Sequence, residues 1–331
     1  MTTVLVTGGA GYIGSHAAKA LRRAGYHTVI YDNLSAGHAE ATQGAPLVVG
    51  DIADTDLVRR VIREHRVDAV LHFAAWLMVS ESVAKPLEYY RNNVVGTLGL
   101  LNAMAAEACR MLVFSSTCAV YGEPVQTPID ESHPTQPINA YGQSKLAIEH
   151  ALPHLERAHG IRSVRLRYFN AAGADPDGEL GEDHAPEIHA VPRAIEAATG
   201  GAPFSVFGTD YPTPDGTCLR DYIHVSDLAD AHVKALQHLE RGGASVTCNL
   251  GTEQPSSVLD VIAAVERVTG RQVARQVADR RPGDPSVLYA SAARARSVLG
   301  WQPQYAALEQ IVAHAWAWHQ AHPHGYRGDV R

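Results

Sequence analysis

Cysteine is scarce in this sequence: Cys109, Cys118, Cys218 and Cys248 are the only four in 331 residues, and no two form a CxxC pair. A disulfide framework and a cysteine-based zinc site are therefore excluded as the basis of the fold, and the cytoplasm is the expected compartment. No apolar run approaches the ~20 residues that cross a bilayer, so no membrane partner is expected. The start, Met1-Thr2-Thr3 and on to Gly8, has neither the basic region nor the apolar length of a signal peptide. Positive charge is also in short supply. A formal net charge of -7 leaves no basic footprint for nucleic acid, so an anionic ligand would need a local group of arginines. The 18 histidines show no HExxH and no clustered Cys/His spacing, and no metal is expected.

What is present is an α/β pattern. The runs Val4-Leu5-Val6, Thr28 to Tyr31, Leu47-Val48-Val49, Ala69 to Phe73 and Met111 to Phe114 read as buried strands. Helical stretches such as Ile13 to Ala24 and Asp56 to His65 lie between them, which predicts right-handed crossovers and a Rossmann-type doubly wound parallel sheet. Beyond residue 170 the texture changes to Gly-, Pro- and acid-rich loops, with helical signals at Val225 to Leu239 and Ser257 to Thr269. The expected division is a dinucleotide-binding domain over 1-170, with 218-250 returning to it. A smaller mixed α/β C-terminal substrate domain is expected over 171-217 and 251-331.

The first strand runs into Thr7-Gly8-Gly9-Ala10-Gly11-Tyr12-Ile13-Gly14, which contains G-x-G-x-x-G. Glycines suit such a turn because it is sharp, a pyrophosphate must approach the backbone, and the helix must pack closely on the strand. Amides at the helix start then face the phosphates, helped by the helix dipole. Asp32 follows the second strand, where a carboxylate accepts hydrogen bonds from the adenosine ribose and repels a 2′-phosphate, which favours NAD over NADP. Asp51-Ile52 stands after the third strand. There the acid either meets the adenine amino group or simply starts a loop.

Tyr141 and Lys145 are spaced i and i+4, so on a helix they share a face, and Pro137 and Asn139 upstream are helix-start signals. A tyrosine of ordinary pKa about 10 is a poor base at neutral pH, and lowering it by roughly 3 units takes about 4 kcal/mol of phenolate stabilisation. Lys145 and the positive charge of nicotinamide are the expected sources. Thr117, at the end of the Met111 to Ser116 strand, supplies a hydroxyl where open α/β sheets hold their ligands. A non-catalytic NAD-sensing protein could keep the glycines and Asp32 but would not need Tyr141 with Lys145.

Together TGGAGYIGSH, FSSTCAVYG and YGQSK resemble the extended short-chain dehydrogenase/reductase superfamily. His72-Phe73-Ala74-Ala75, Lys85 to Tyr90, Asn92-Asn93-Val94, Arg167 to Asn170, Phe207-Gly208, Asp221 to Val225 and Arg281 to Asp284 narrow the resemblance to the UDP-glucose 4-epimerase family, over essentially the whole chain. The resemblance implies an isomerase of galactose and nucleotide-sugar metabolism that inverts C4 of a UDP-hexose through a 4-keto sugar, with tightly bound NAD. Tyr141 would be the acid/base, Thr117 would hydrogen-bond O4, and Lys145 would also hold the nicotinamide ribose. Gly8, Gly11, Tyr12, Ile13, Gly14, Asp32, Asn33, Asp51, Ile52, Phe73, Ala74, Ala75, Asn93 and Phe169 would line the cofactor. Asn170, His189, Arg220, Tyr222, Arg281 and Asp284 would grip UDP, with Phe207 near the uracil. A homodimer would form through helices near 92-108 and 142-159, with Ala147, Ile148, Ala151 and Leu152 at the contact.

Two positions depart from some family members. Leu77 stands where certain epimerases have a lysine, and Leu288 where some have a tyrosine at the sugar pocket, which opens room for an N-acetyl group. UDP-N-acetylhexosamines, pentoses and uronic acids are therefore alternative substrates. A 4,6-dehydratase needs an acid pair after the threonine, whereas Cys118-Ala119 follow Thr117.

Overall fold

The computed structural model describes residues 1-281 and 285-326. Seven parallel strands form its main sheet: β1 (Thr3–Thr7), β2 (His27–Asp32), β3 (Leu47–Val49), β4 (Ala69–His72), β5 (Met111–Thr117), β6 (Arg162–Tyr168) and Val246–Leu250. Their order places β4, β5, β6 and Val246–Leu250 on one side of β1, and β2 and β3 on the other. The chain direction of winding therefore reverses between β1 and β4, and a crevice opens at the carboxyl ends of those strands.

Alternate residues of each strand feed two different cores, because a strand's side chains alternate between faces. Val4, Val6, Leu71, Val113 and Val164 pack on one face, against α1 (Tyr12–Arg23) and the helix Val225–Glu240. Leu5, Val29, Val70, Leu112 and Phe114 pack on the other. That second face is covered by α2 (Thr55–Glu64), by the helix Thr97–Ala106 and by a long helix, Ala140–His159. Burial on both faces is why these strands read as continuous apolar runs.

Ile148 and Leu152, expected at a subunit contact, belong to this second core and are each 1 % exposed. Helical periodicity reveals an apolar face without saying what covers it, and here the covering layer is the sheet.

A smaller lobe has its own core. Val191, Ala194 and Ile195 of the helix Ala190–Ala198 meet Val261, Ile262 and Val265 of Val258–Thr269, and Ile311 and Val312 of Leu308–Ala321. The boundary expected at 251 is cut across by the chain. Ala292, Ala295, Leu299 and Trp301 pack into the core of the large sheet. The fully buried Trp301 donates its indole N–H to the Asp227 carbonyl at 2.9 Å, and the Asp227 carboxylate accepts from the amides of Gln304 and Tyr305. A tryptophan buried so completely contributes on the order of 3–5 kcal/mol relative to alanine. It ties residues 301-305 to the helix Val225–Glu240, which packs on the large sheet.

Candidate active site

The glycines of the first loop differ in what they do. Gly8 has φ +72, and a Cβ there would lie 2.5 Å from the amide nitrogen of Ala74. The loop thus presses on residues 73-74, whose amides donate to the Thr7 carbonyl at 2.8 and 3.1 Å. At Gly14 a Cβ would meet the Gly8 carbonyl oxygen at 2.1 Å, so the first turn of α1 lies directly on the loop. Gly11 is the N-cap of α1, and a Cβ there would meet only the Gly8 oxygen, at 3.4 Å. Protein packing therefore does not demand Gly11. Its bare backbone at the head of a helix is instead suited to a close-approaching phosphate.

Asp32 ends β2 and accepts the amides of Ala10 (3.0 Å) and Leu34 (2.9 Å), one on each oxygen. A carboxylate has about four acceptor positions, so capacity for a ribose remains. Burial raises its pKa, and the two amide hydrogen bonds oppose that. Asn33 donates to Asp51 at 2.9 Å, while the other Asp51 oxygen accepts the Ala53 amide and shapes the loop. Asp51 itself lies two residues past the end of β3, and Ile52 beside it is buried. Ile13 is half-buried beside the large core. Phe73 packs against the ring of His232 at 4.6 Å, and half-buried Ala74 and Ala75 complete that wall. Asn93 is buried and fully engaged: it brackets Trp76 through N–H and C=O, at 2.9 and 3.0 Å, and donates to Ser144. It fixes the segment after β4 against the helix that carries Tyr141.

That helix, Ala140–His159, is capped by Asn139, whose side-chain oxygen accepts the Gly142 amide at 2.8 Å. A Cβ on Gly142 would meet the Ala119 carbonyl at 2.5 Å, so the helix start presses on the turn that follows β5. This contact brings the Tyr141 phenol close enough to Thr117 for that hydroxyl to oppose the rise of its pKa, while the Thr117 oxygen also accepts the Ala119 amide at 3.1 Å. Sequence reading passed over Gly142, although it sits inside YGQSK. The Lys145 ammonium donates to the Ser115 carbonyl at 2.9 Å and lies 5.1 Å from the centre of the Phe114 ring.

The electrostatics differ from the expected picture. Burial is the main influence on Tyr141, raising its pKa well above the ordinary value, with Tyr168 adding and Thr117 opposing. Burial also lowers Lys145 to about 7. Its nitrogen rests on the Ser115 carbonyl. The expected lowering of Tyr141 is not achieved by these protein groups, because desolvation outweighs them.

Four short strands assemble the other wall. Asn170–Ala172 pairs with Tyr222–His224, placing Asn170 opposite Tyr222, and Leu288 pairs with Arg220. Asn170 donates its side-chain and backbone N–H to the Asp221 carbonyl. Arg220 donates to the carbonyls of Leu219 and Pro285. Tyr222 is buried in the smaller core, so its ring is a support. Arg281 and Phe207 come together as a cation–π pair at 3.8 Å. Leu288 packs beside Phe169, Tyr121, Leu146 and Cys118, next to Thr117 in the chain. His189 caps the start of Ala190–Ala198 and lies 2.8 Å from Glu182 and 2.9 Å from Glu187. Burial alone would lower its pKa, but the two glutamates raise it to about 10. Asp284 lies outside the described residues.

Asp221 was quoted in the sequence without a role. Buried, it accepts the Thr252 amide and hydroxyl, and the amides of Ala290 and Glu253, and so joins three loops behind Arg220. A buried acid with several amide donors cannot be told from a loop acid by sequence pattern alone.

Residues 4–251 match the NAD dependent epimerase/dehydratase family. A protein of Halalkalibacterium halodurans named UDP-glucose 4-epimerase is 50% identical over 324 residues, which is 98% of this chain and 97% of that one. Among solved structures, UDP-glucose 4-epimerase from Brucella ovis in complex with NAD superposes with TM-score 0.94 at 48% identity, covering 96% of this chain and 98% of the other. UDP-glucose 4-epimerase from Bifidobacterium longum in complex with NAD+ and UDP gives 0.93 at 39%, covering 98% and 100%.

Proposed function

The chain belongs to the NAD dependent epimerase/dehydratase family, and from that membership we propose that it is an NAD-dependent UDP-glucose 4-epimerase, interconverting UDP-galactose and UDP-glucose. The observation that carries this reading is the meeting of Tyr141 with Thr117 at the carboxyl end of β5, beside a glycine loop whose Gly11 leaves bare backbone at a helix head. NAD, when bound, supplies the hydride acceptor and donor for C4.

The rest falls to the chain's own residues. The Tyr141 phenolate takes the proton of the 4-hydroxyl and later returns it, while Thr117 hydrogen-bonds the same oxygen. The resulting 4-keto sugar has to turn over within the site, so it can be held only loosely. Binding energy then belongs on the remote nucleotide. Asn170, His189, Arg220, Arg281 and Asp284 serve there, the arginines by bidentate hydrogen bonds to the diphosphate, with Phe207 under the uracil. Asp32 and Asp51 hold the adenosine end. Residues 1-170 with 218-250 form the cofactor domain, joined by the 292-301 segment that packs on the same core, and the remainder forms the substrate domain, in a cytoplasmic enzyme. No helix among the described residues is long and apolar enough to cross a membrane.

Incubation of purified protein with UDP-galactose and no added NAD is expected to yield UDP-glucose; absence of both product and co-purifying nicotinamide cofactor overturns the reading. Leucine at 288 is smaller than the tyrosine of some family members, so UDP-N-acetylgalactosamine is also expected to react, with pentose and uronic-acid substrates as further alternatives. Leu288→Tyr should lower the ratio of N-acetylhexosamine to hexose turnover by at least about tenfold, the effect of a modest pocket misfit. Undetectable turnover of UDP-N-acetylgalactosamine by the wild type, where UDP-galactose reacts, rejects this expectation.

A homodimer is also proposed, through a different face from the buried Ile148 and Leu152. Val79, Val83, Leu87, Tyr90, Val95 and Leu98 are large apolar side chains exposed along 79-98, and exposed apolar surface is what a subunit contact would cover. Light scattering should give twice the chain mass; a monomer at micromolar concentration would contradict it.

A further inference from the structure

The loop that leads into the helix Ala190–Ala198 carries a group of side chains that take no part in the proton transfer; His189 joins it through Nδ1, which leaves Nε2 for the nucleotide. Glu182, His184, Glu187 and His189 each direct one potential ligand atom inward, and these atoms all lie within 4.8 Å of one another. Their spacing, E-x-H-x-x-E-x-H on irregular backbone, has no helical period, which is why no metal was expected from the sequence. We propose that these four residues bind one divalent cation of the zinc class, which fastens this loop beside the first turn of α1.

The donor set fits such an ion. Two imidazoles and two carboxylates are borderline ligands of the type zinc takes, and the two negative charges balance the metal's two positive ones. The dimensions fit as well. Bonds of about 2.0–2.1 Å to a tetrahedral ion set neighbouring ligand atoms about 3.3 Å apart. Here His184 Nδ1 lies 3.3 Å from Glu182 Oε1 and 3.6 Å from Glu187 Oε2, and His189 Nδ1 lies 2.8 Å from Glu182 Oε1.

Hydrogen bonding within the group accounts for only part of it: His189 Nδ1 bonds Glu187 Oε1 at 2.9 Å. Glu182 Oε1 and His184 Nδ1 are both buried with no well-directed hydrogen bond, and each meets the other groups only as an ion-pair contact. Glu182 has a side chain only 6% exposed, so water does not satisfy that oxygen either. An acceptor buried without a well-directed donor is costly, and a coordinate bond would offset that cost.

Outer contacts hold the ligands in place, as metal sites require. The amides of Ile188 and His189 donate to Glu187 Oε1 at 2.7 and 2.8 Å, leaving Oε2 to face inward. Tyr12 stands edge-on to the His184 ring, with centres 6.1 Å apart, and its hydroxyl donates to the Gly173 carbonyl. Tyr12 is the first residue of α1, so the ion would brace the second lobe against the glycine loop. The role is structural, and its test does not depend on which sugar is turned over.

Chelator-treated full-length protein would be titrated with zinc chloride by calorimetry, and zinc in the untreated preparation measured by mass spectrometry. One equivalent per chain is expected in both. His184→Gln and Glu182→Gln, made separately and checked for native circular dichroism, should each weaken zinc by more than the about 10–100-fold that loss of an outer partner causes. Cobalt(II) loaded into the wild type tests the geometry without any substitution, with the intense visible absorption of a tetrahedral ion expected. Zinc affinity equal in wild type and both variants would place the ion on other histidines and overturn the proposal. So would no binding to the chelator-treated wild type, or the weak spectrum of octahedral cobalt.

Discussion

Tyr141→Phe is expected to lower conversion of UDP-galactose by about 10²–10⁴-fold, the usual contribution of a positioned acid/base, with native circular dichroism and UDP affinity retained. The substitution deletes one oxygen from the second residue of a helix whose start is fixed by other groups: the Asn139 cap, the Gly142 contact with Ala119, and the Ser144 bond to Asn93. Loss of rate without loss of fold is therefore the signature. The size of the effect follows from the burial of the phenol, which raises its pKa, and from Lys145, lowered to about 7. A phenol in this setting becomes a base only when positive charge stabilises it by more than the roughly 4 kcal/mol that three units represent. The ammonium form of Lys145 and the charge of an oxidised nicotinamide are the two sources within the proposed mechanism. Turnover rates within threefold of wild type would remove Tyr141 from the chemistry.

How far the sequence reveals this site depends on whether a residue's task is local. Gly8 and Gly14 are legible because a sharp turn and a close helix both forbid a side chain at fixed offsets from a strand. Tyr141 and Lys145 are legible because helical spacing puts them on one face. Asp32 is legible as the acid that ends the second strand. The failures share a different cause, which is that their partners come from distant parts of the chain. Ile148 and Leu152 show an apolar face whose cover is the sheet. Trp301 reaches back to Asp227, and Asp221 gathers amides from residues 252, 253 and 290. The four residues from Glu182 to His189 are close in sequence, yet only an irregular backbone turns them toward one point, and no period announces that. The surroundings of Tyr141 are half legible for a related reason. Proximity to Lys145 can be read from spacing, but the depth of burial that outweighs it cannot.

The glycine loop allows the sharpest separation of packing from ligand binding. Gly14→Ala is expected to reduce both thermal stability and the NAD content of purified protein, the latter at least about tenfold. The new methyl would lie 2.1 Å from the Gly8 carbonyl oxygen. Neither group can swing aside, because both are backbone or attached directly to it, and Gly8 is itself held at φ +72 against Ala74. The start of α1 has to move outward. Overpacking of this kind costs about 1–3 kcal/mol, and about 1.4 kcal/mol is already tenfold in binding. Its burden falls on the amides that would face the diphosphate. Gly11→Ala makes the contrast. A Cβ there meets protein only at 3.4 Å, and φ of -82 suits alanine, so the melting temperature should hold while NAD is lost to the methyl in the phosphate's path. Gly14→Ala protein with full cofactor and wild-type melting would mean that the helix yields freely. Gly11→Ala protein that retains NAD would show that the phosphate does not approach the backbone there, and the site would have to be redrawn around Asp32 alone.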